Sequence, residues 1–198
     1  MRTDWRDTVR DAADLAVLGL LVVVASFPLL TAGAALATGS AAIHQRVTHD
    51  RWPGPRALWP VFRRTLLPGA AAVASCGLGA WLLAFDVSVL RSGAVPGGPA
   101  LLVATCLVTA ASVGYLGLTV VALGRGAPGW LPALRRATTA PPLAVAASAG
   151  VVALAAVLAV LVHPILAACL TGHALYALHA VHTRTAPTPS TPQRDPAR

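Results

Sequence analysis

Hydrophobic positions in this chain fall into long runs almost free of charge, separated by short basic segments. The first run, Leu15 to Gln45, holds 31 residues without an arginine or a carboxylate and is interrupted by Phe27-Pro28, then by Thr31 and Gly33. As a single helix it would rise about 46 Å, more than the roughly 30 Å hydrocarbon core of a bilayer. The pattern therefore predicts a membrane-crossing helix over 15–43, broken at Pro28 and continuing into the headgroup region. Later runs predict spans over 66–85 and 99–123. From Ala137 to Thr183 there is again no arginine or carboxylate, a stretch too long for one crossing. His163-Pro164 divides it, because proline cannot donate within a helix and biases its predecessor away from helical geometry, leaving spans over 143–162 and 164–181. The expected fold is all-α, a polytopic transmembrane helical bundle of about five spans, or six if Pro28 folds the first run into a re-entrant hairpin.

The ends read differently from the runs. Residues 1–14 place Trp5, Val9, Ala12 and Ala13 at helical spacing, with Asp4, Asp7, Asp11 and Asp14 on one flank and Arg2, Arg6 and Arg10 on another. This predicts an amphipathic helix in the membrane interface, anchored by Trp5. A cleaved signal peptide is rejected, since acidic residues crowd the n-region and the apolar run is about twice the usual 7 to 15 residues. The tail, 183–198, is rich in proline and threonine and is expected to be disordered and cytoplasmic.

Composition strengthens the membrane reading. The chain is 56% hydrophobic and 11% charged, with a mean hydropathy of +0.70, whereas globular domains carry about 25% charged residues. Every basic residue apart from histidine is arginine and every acidic one is aspartate, a bias typical of GC-rich bacterial genomes. A net charge of +8 would suggest nucleic acid as a partner for a soluble domain, but here the arginines lie between the apolar runs, where orientation in the membrane explains them. Five fall in 46–64, one (Arg91) between the second and third runs, three in 125–136, and three after Val181. By the positive-inside rule the connections 46–64 and 125–139 and the tail are cytoplasmic, in a bacterial inner membrane. Five spans would then leave the N-terminus outside despite its arginines, while a re-entrant first run would bring it inside.

Two of the connectors resemble each other. Pro60-Val61-Phe62-Arg63-Arg64 with Pro68 downstream can be laid over Pro132-Ala133-Leu134-Arg135-Arg136 with Pro141 downstream, each with a tryptophan just upstream, Trp59 and Trp130. Such elbows put apolar side chains in the interface and turn Arg63, Arg64, Arg135 and Arg136 toward anionic headgroups. Within the spans small residues recur every fourth position, as in Ala72, Cys76 and Ala80, or Cys106, Ala110 and Gly114, or Ala146 and Gly150. Stripes of this kind let helix backbones approach closely in lipid. Cys76, Cys106 and Cys169 stand apart from one another and read as small hydrophobes.

The segment SFPLLTAGAALATGSAAI around Pro28, with the elbow LWPVFRRTLLPG, resembles the YesL family of bacterial integral membrane proteins, grouped by a domain of unknown function. Pro28, Thr31 and Gly33 match its Pro-x-x-Thr-x-Gly element and Phe62, Arg63 and Arg64 its aromatic-basic-basic element, although Thr65 stands where the family usually has Asn. The resemblance implies an accessory membrane protein associated with carbohydrate uptake. It implies no catalytic residues.

Candidate chemistry is sparse. The break at Pro28, Thr31 and Gly33 is the leading site, because proline frees the carbonyl of Val24 and Thr31 can either repair the helix or bind a polar group; broken spans of this kind line transporter sites. His173 is the one titratable side chain inside a later run, expected to hydrogen-bond to a neighbouring helix, and His179 and His182 share a helix face near the end of that run, where they are expected to sit near headgroups. With no carboxylate or cysteine beside them, no metal or other cofactor is expected. No intramembrane carboxylate is available for proton coupling and no nucleophile–histidine motif is present, so an enzyme is not expected. The reading that remains is an accessory or assembly partner of another membrane protein, in contact with lipid and its anionic headgroups. The alternative is a small transporter or channel acting through the broken first helix.

Overall fold

A computed structural model describes residues 5–92, 98–161 and 164–185, all-helical apart from short connections. Seven helices follow in order: α1 (Trp5–Ala25), α2 (Ala32–His49), α3 (Pro55–Arg91), α4 (Gly98–Gly124), α5 (Trp130–Thr138), α6 (Pro142–Leu161) and α7 (Pro164–Thr185). Among the described residues α3 and α4 are long and apolar enough to cross a bilayer, and α5 with α6, bent by 119°, would be a third if taken as one broken span. The first half of α1 does not meet that description because it carries Arg6, Arg10, Asp11 and Asp14. Residue 163 of the expected His163-Pro164 division and most of the tail, from 186 onward, lie outside the described residues, while Pro164 opens α7.

The first apolar run is two helices folded back on one another, not one bent helix. Residues 5–14 continue directly into 15–25, so the expected separate interfacial helix is the first half of α1. Pro28 cannot donate, and Leu29 takes a positive φ of 30°, so the chain turns over 26–31. The returning α2 lies beside α1 with Gly39 against Val22. At the open end of this hairpin Arg46 reaches Asp11, with 3.0 Å between charged atoms, and also Asp50. The Trp52 indole N–H donates to Asp14 at 3.0 Å, and the Arg46 guanidinium lies 5.9 Å from the Trp52 ring centre. These contacts hold the start of α1, the end of α2 and the approach to α3 together.

α2 is the centre of the molecule. Its run Gly33-Ala34-Ala35, Ala37 and Gly39 to Ile43 is buried, because side chains this small let four neighbours, α1, α3, α4 and α7, close on one helix. At the α2–α3 crossing Gly33 meets Gly69 so closely that a Cβ on Gly33 would lie 2.7 Å from Gly69 Cα. Gly124 of α4 meets Ser40 of α2, Gly114 of α4 meets Val145 of α6, and Gly19 of α1 meets Gly172 of α7. Of the small-residue stripes expected from sequence, only Gly114 lies at such a crossing. Cys76, Ala80, Cys106, Ala110, Ala146 and Gly150 are exposed.

The two similar elbows fold differently. The first is absorbed into α3, a continuous helix with Pro60 and Pro68 inside it. The second is the separate helix α5, which turns sharply into α6 at Ala140-Pro141-Pro142, where consecutive prolines bias each preceding residue out of helical geometry. Beyond Gly69 no residue of α3 is buried, and the same holds for 99–113 of α4. These outer halves form an apolar arm, joined by a hydrogen bond from the Thr105 hydroxyl to Asp86 at 3.2 Å.

Candidate functional site

The break in the first run is built from backbone repair. The Phe27 N–H donates to the Val24 carbonyl at 3.2 Å, so that carbonyl is not left free by Pro28. The Thr31 hydroxyl donates to the carbonyl of Ala25, capping the end of α1, and the Thr31 carbonyl accepts from Ala35 as α2 begins. Gly33 serves the crossing with Gly69. Phe27, Leu29 and Leu30 are 88, 73 and 64% exposed, an apolar tip that would be costly in water and is at ease in lipid or against another protein.

The polar side chains that the fold does bring together lie toward the other end of α2. Ser40 is fully buried and its Oγ is 2.9 Å from Nε2 of His179, itself 4% exposed, across 139 positions of chain. The His44 ring stacks on that of His179 with centres 6.1 Å apart. A serine beside a histidine suggests nucleophile and base, but a fully buried Ser40 offers no approach to a substrate, and the pair acts as a polar tie between α2 and α7. His179 is thus interior, not beside the headgroups as its sequence position suggests.

Next to this tie, Arg125 just past α4, Arg136 of α5 and His182 of α7 rim a cavity of about 310 Å³ whose floor is Leu118, Ala122 and Ala137. Partial burial, then the charge of Arg125, hold the His182 pKa below its ordinary value. The described carboxylates are elsewhere: Asp11 and Asp50 hold Arg46, Asp14 accepts from Trp52, and Asp86 accepts from Thr105. Their hydrogen bonds raise the Arg46 pKa above its usual value, Asp11 first and Asp50 second.

The other sequence candidates are dispersed. Arg63, Arg64 and Arg135 are exposed. Trp59 and Phe62 stack at 5.9 Å and, with Trp52, wall an apolar groove of about 710 Å³ against α1 and α2. His173 is exposed and its Nδ1 lies 3.0 Å from the carbonyl of Cys169 one turn earlier, so it bonds within its own helix and not to a neighbour. Among the described residues no three His, Cys or Asp side chains gather to hold a metal ion. Ser40, His44 and Arg125 were not singled out from sequence. The only mark they leave there is polarity at the edge or interior of an apolar run.

These features define an all-helical protein with two or three candidate membrane helices and a basic cavity at one end of its helix cluster. No family model matches the chain, and no curated protein or solved structure matches it either.

Proposed function

We propose that the chain is an accessory or assembly subunit of a bacterial inner-membrane complex, docking through the outer halves of α3 and α4. One observation carries this reading: small residues of α3 point outward, and none of the described residues fills the space beside them. A Cβ added at Gly77 or Gly79 would meet nothing within 4 Å, and Cys76 and Ala80 are exposed beside them. Lipid is packed adequately by large apolar side chains, whereas small ones permit close approach of another helix. The resemblance to the YesL family makes a carbohydrate uptake system the partner class to examine first. In this reading residues 66–85, 99–123, 143–162 and 164–181 are solvated by lipid, and the connections 46–64 and 125–139 face the cytoplasm with the tail.

Affinity purification of the full chain from native membranes in mild detergent is expected to recover a second membrane protein in fixed ratio. Gly79→Leu, whose Cβ meets no described residue within 4 Å, is expected to release it. Recovery of the lone polypeptide, or a partner retained equally by Gly79→Leu, overturns the proposal. Transport through the break at Pro28 is less well supported, because Thr31 and Gly33 already serve as a helix cap and a helix crossing.

A further inference from the structure

We infer that the cavity between the ends of α4, α5 and α7, lined also by His182, binds a phosphate ester of net negative charge, gripped by Arg125 and Arg136. The bend between α5 and α6 makes the cavity. It lays α5 across the end of α4, so that Arg136 shares a rim with Arg125 while its neighbour Arg135 does not line the space. Two guanidinium groups over an apolar floor present planar, directional donors suited to phosphate oxygens. No described carboxylate is ion-paired with either of them, since the ion pairs among the described residues are those of Arg46. Among the described residues the positive charge at this rim therefore has no carboxylate partner; burial first, and then the charge of Arg125, hold the pKa values of His182 and His44 below their ordinary value. A bound anion supplies the missing charge and turns that repulsion into attraction. The rim lies where the apolar runs 99–123 and 164–181 end, the level at which a lipid phosphate would stand, while a free phosphate ester would reach the same donors from the aqueous side.

The full chain, purified in detergent and mixed with equal amounts of phosphatidylglycerol and phosphatidylcholine, is examined by native mass spectrometry, and its thermal unfolding is followed with and without millimolar inorganic phosphate. Preferential retention of phosphatidylglycerol by about tenfold, falling toward parity in Arg125→Gln and Arg136→Gln but unchanged in Arg135→Gln, supports a lipid source. Thermal protection by inorganic phosphate that Arg136→Gln removes, without lipid preference, supports a free one. Ala140→Phe fills the cavity and keeps both guanidinium groups, so it separates a shaped site from general basic charge and remains informative should an arginine variant fail to fold. Equal retention of both lipids together with no phosphate effect overturns the inference, as does phosphatidylglycerol preference undiminished in Ala140→Phe.

Discussion

Ser40 and His179 show how a single polar contact can be worth more inside a helix bundle than its size suggests. Serine and threonine in apolar helices usually return their hydroxyl to the backbone one turn earlier, as Ser26, Thr38, Ser75 and Ser112 do here. Ser40 instead bonds across to α7, and Ser148 donates across to the Gly114 carbonyl at 3.0 Å. Nothing in the local sequence separates these two from the others, because the choice depends on which helix lies opposite. Removing the Ser40 hydroxyl leaves a ring nitrogen of a buried imidazole without that partner. Ser40→Ala is therefore expected to cost about 1–3 kcal/mol, seen as a lower thermal-unfolding midpoint of the purified protein in detergent. In a double-mutant cycle with His179→Leu, the combined loss is expected to fall short of the sum. Strictly additive losses would mean that the two side chains do not support one another.

Between helices, the decisive positions are glycines that meet backbone. A side chain at Gly33 would place Cβ 2.7 Å from Gly69 Cα, and one at Gly69 would come 2.8 Å from the Ala34 nitrogen, so neither can be absorbed by a rotamer change. Gly33→Leu and Gly69→Leu are each expected to lose about 1–3 kcal/mol as α2 and α3 are forced apart. A Cβ at Gly79 meets nothing within 4 Å among the described residues, and Gly79→Leu is expected to leave the unfolding midpoint unchanged or raised by the equivalent of about 0.5–1 kcal/mol, since glycine disfavours a helix interior. Equal losses at Gly33 and Gly79 in the same assay would contradict this packing. Much at this scale was legible beforehand: helices throughout, a turn near Pro28, and small residues as the means of association. What was hidden is which small residues meet. Stripes at every fourth position mark a helix face, and Ala72, Cys76 and Ala80 form one as good as any, yet which face is covered follows from the neighbours and their order. The elbows make the same point, since Pro68 sits within a continuous α3 whereas Pro141-Pro142 ends α5.

For the molecule as a whole, folding the first run into a hairpin bears on a conflict in its charge pattern. If, as the positive-inside rule predicts, 46–64 faces the cytoplasm, a single crossing over 15–43 would leave Arg2, Arg6 and Arg10 on the opposite side, against the same rule. In the hairpin both ends of the run lie together, Asp11 beside Arg46 and Asp14 beside Trp52, whatever depth the tip at 26–31 reaches. All the basic segments except Arg91 can then face the cytoplasm. The expectation is concrete. With Cys76, Cys106 and Cys169 replaced by alanine, single cysteines introduced as Thr8→Cys, Val47→Cys and Ser92→Cys are probed in intact spheroplasts with a membrane-impermeant maleimide. Ser92→Cys is expected to react from outside, while Thr8→Cys and Val47→Cys react only after permeabilisation. If Thr8→Cys reacted from outside and Val47→Cys did not, the two ends of the first run would lie on opposite faces. The Arg46 clamp to Asp11 could not then form in the membrane, and α1 would have to part from α2.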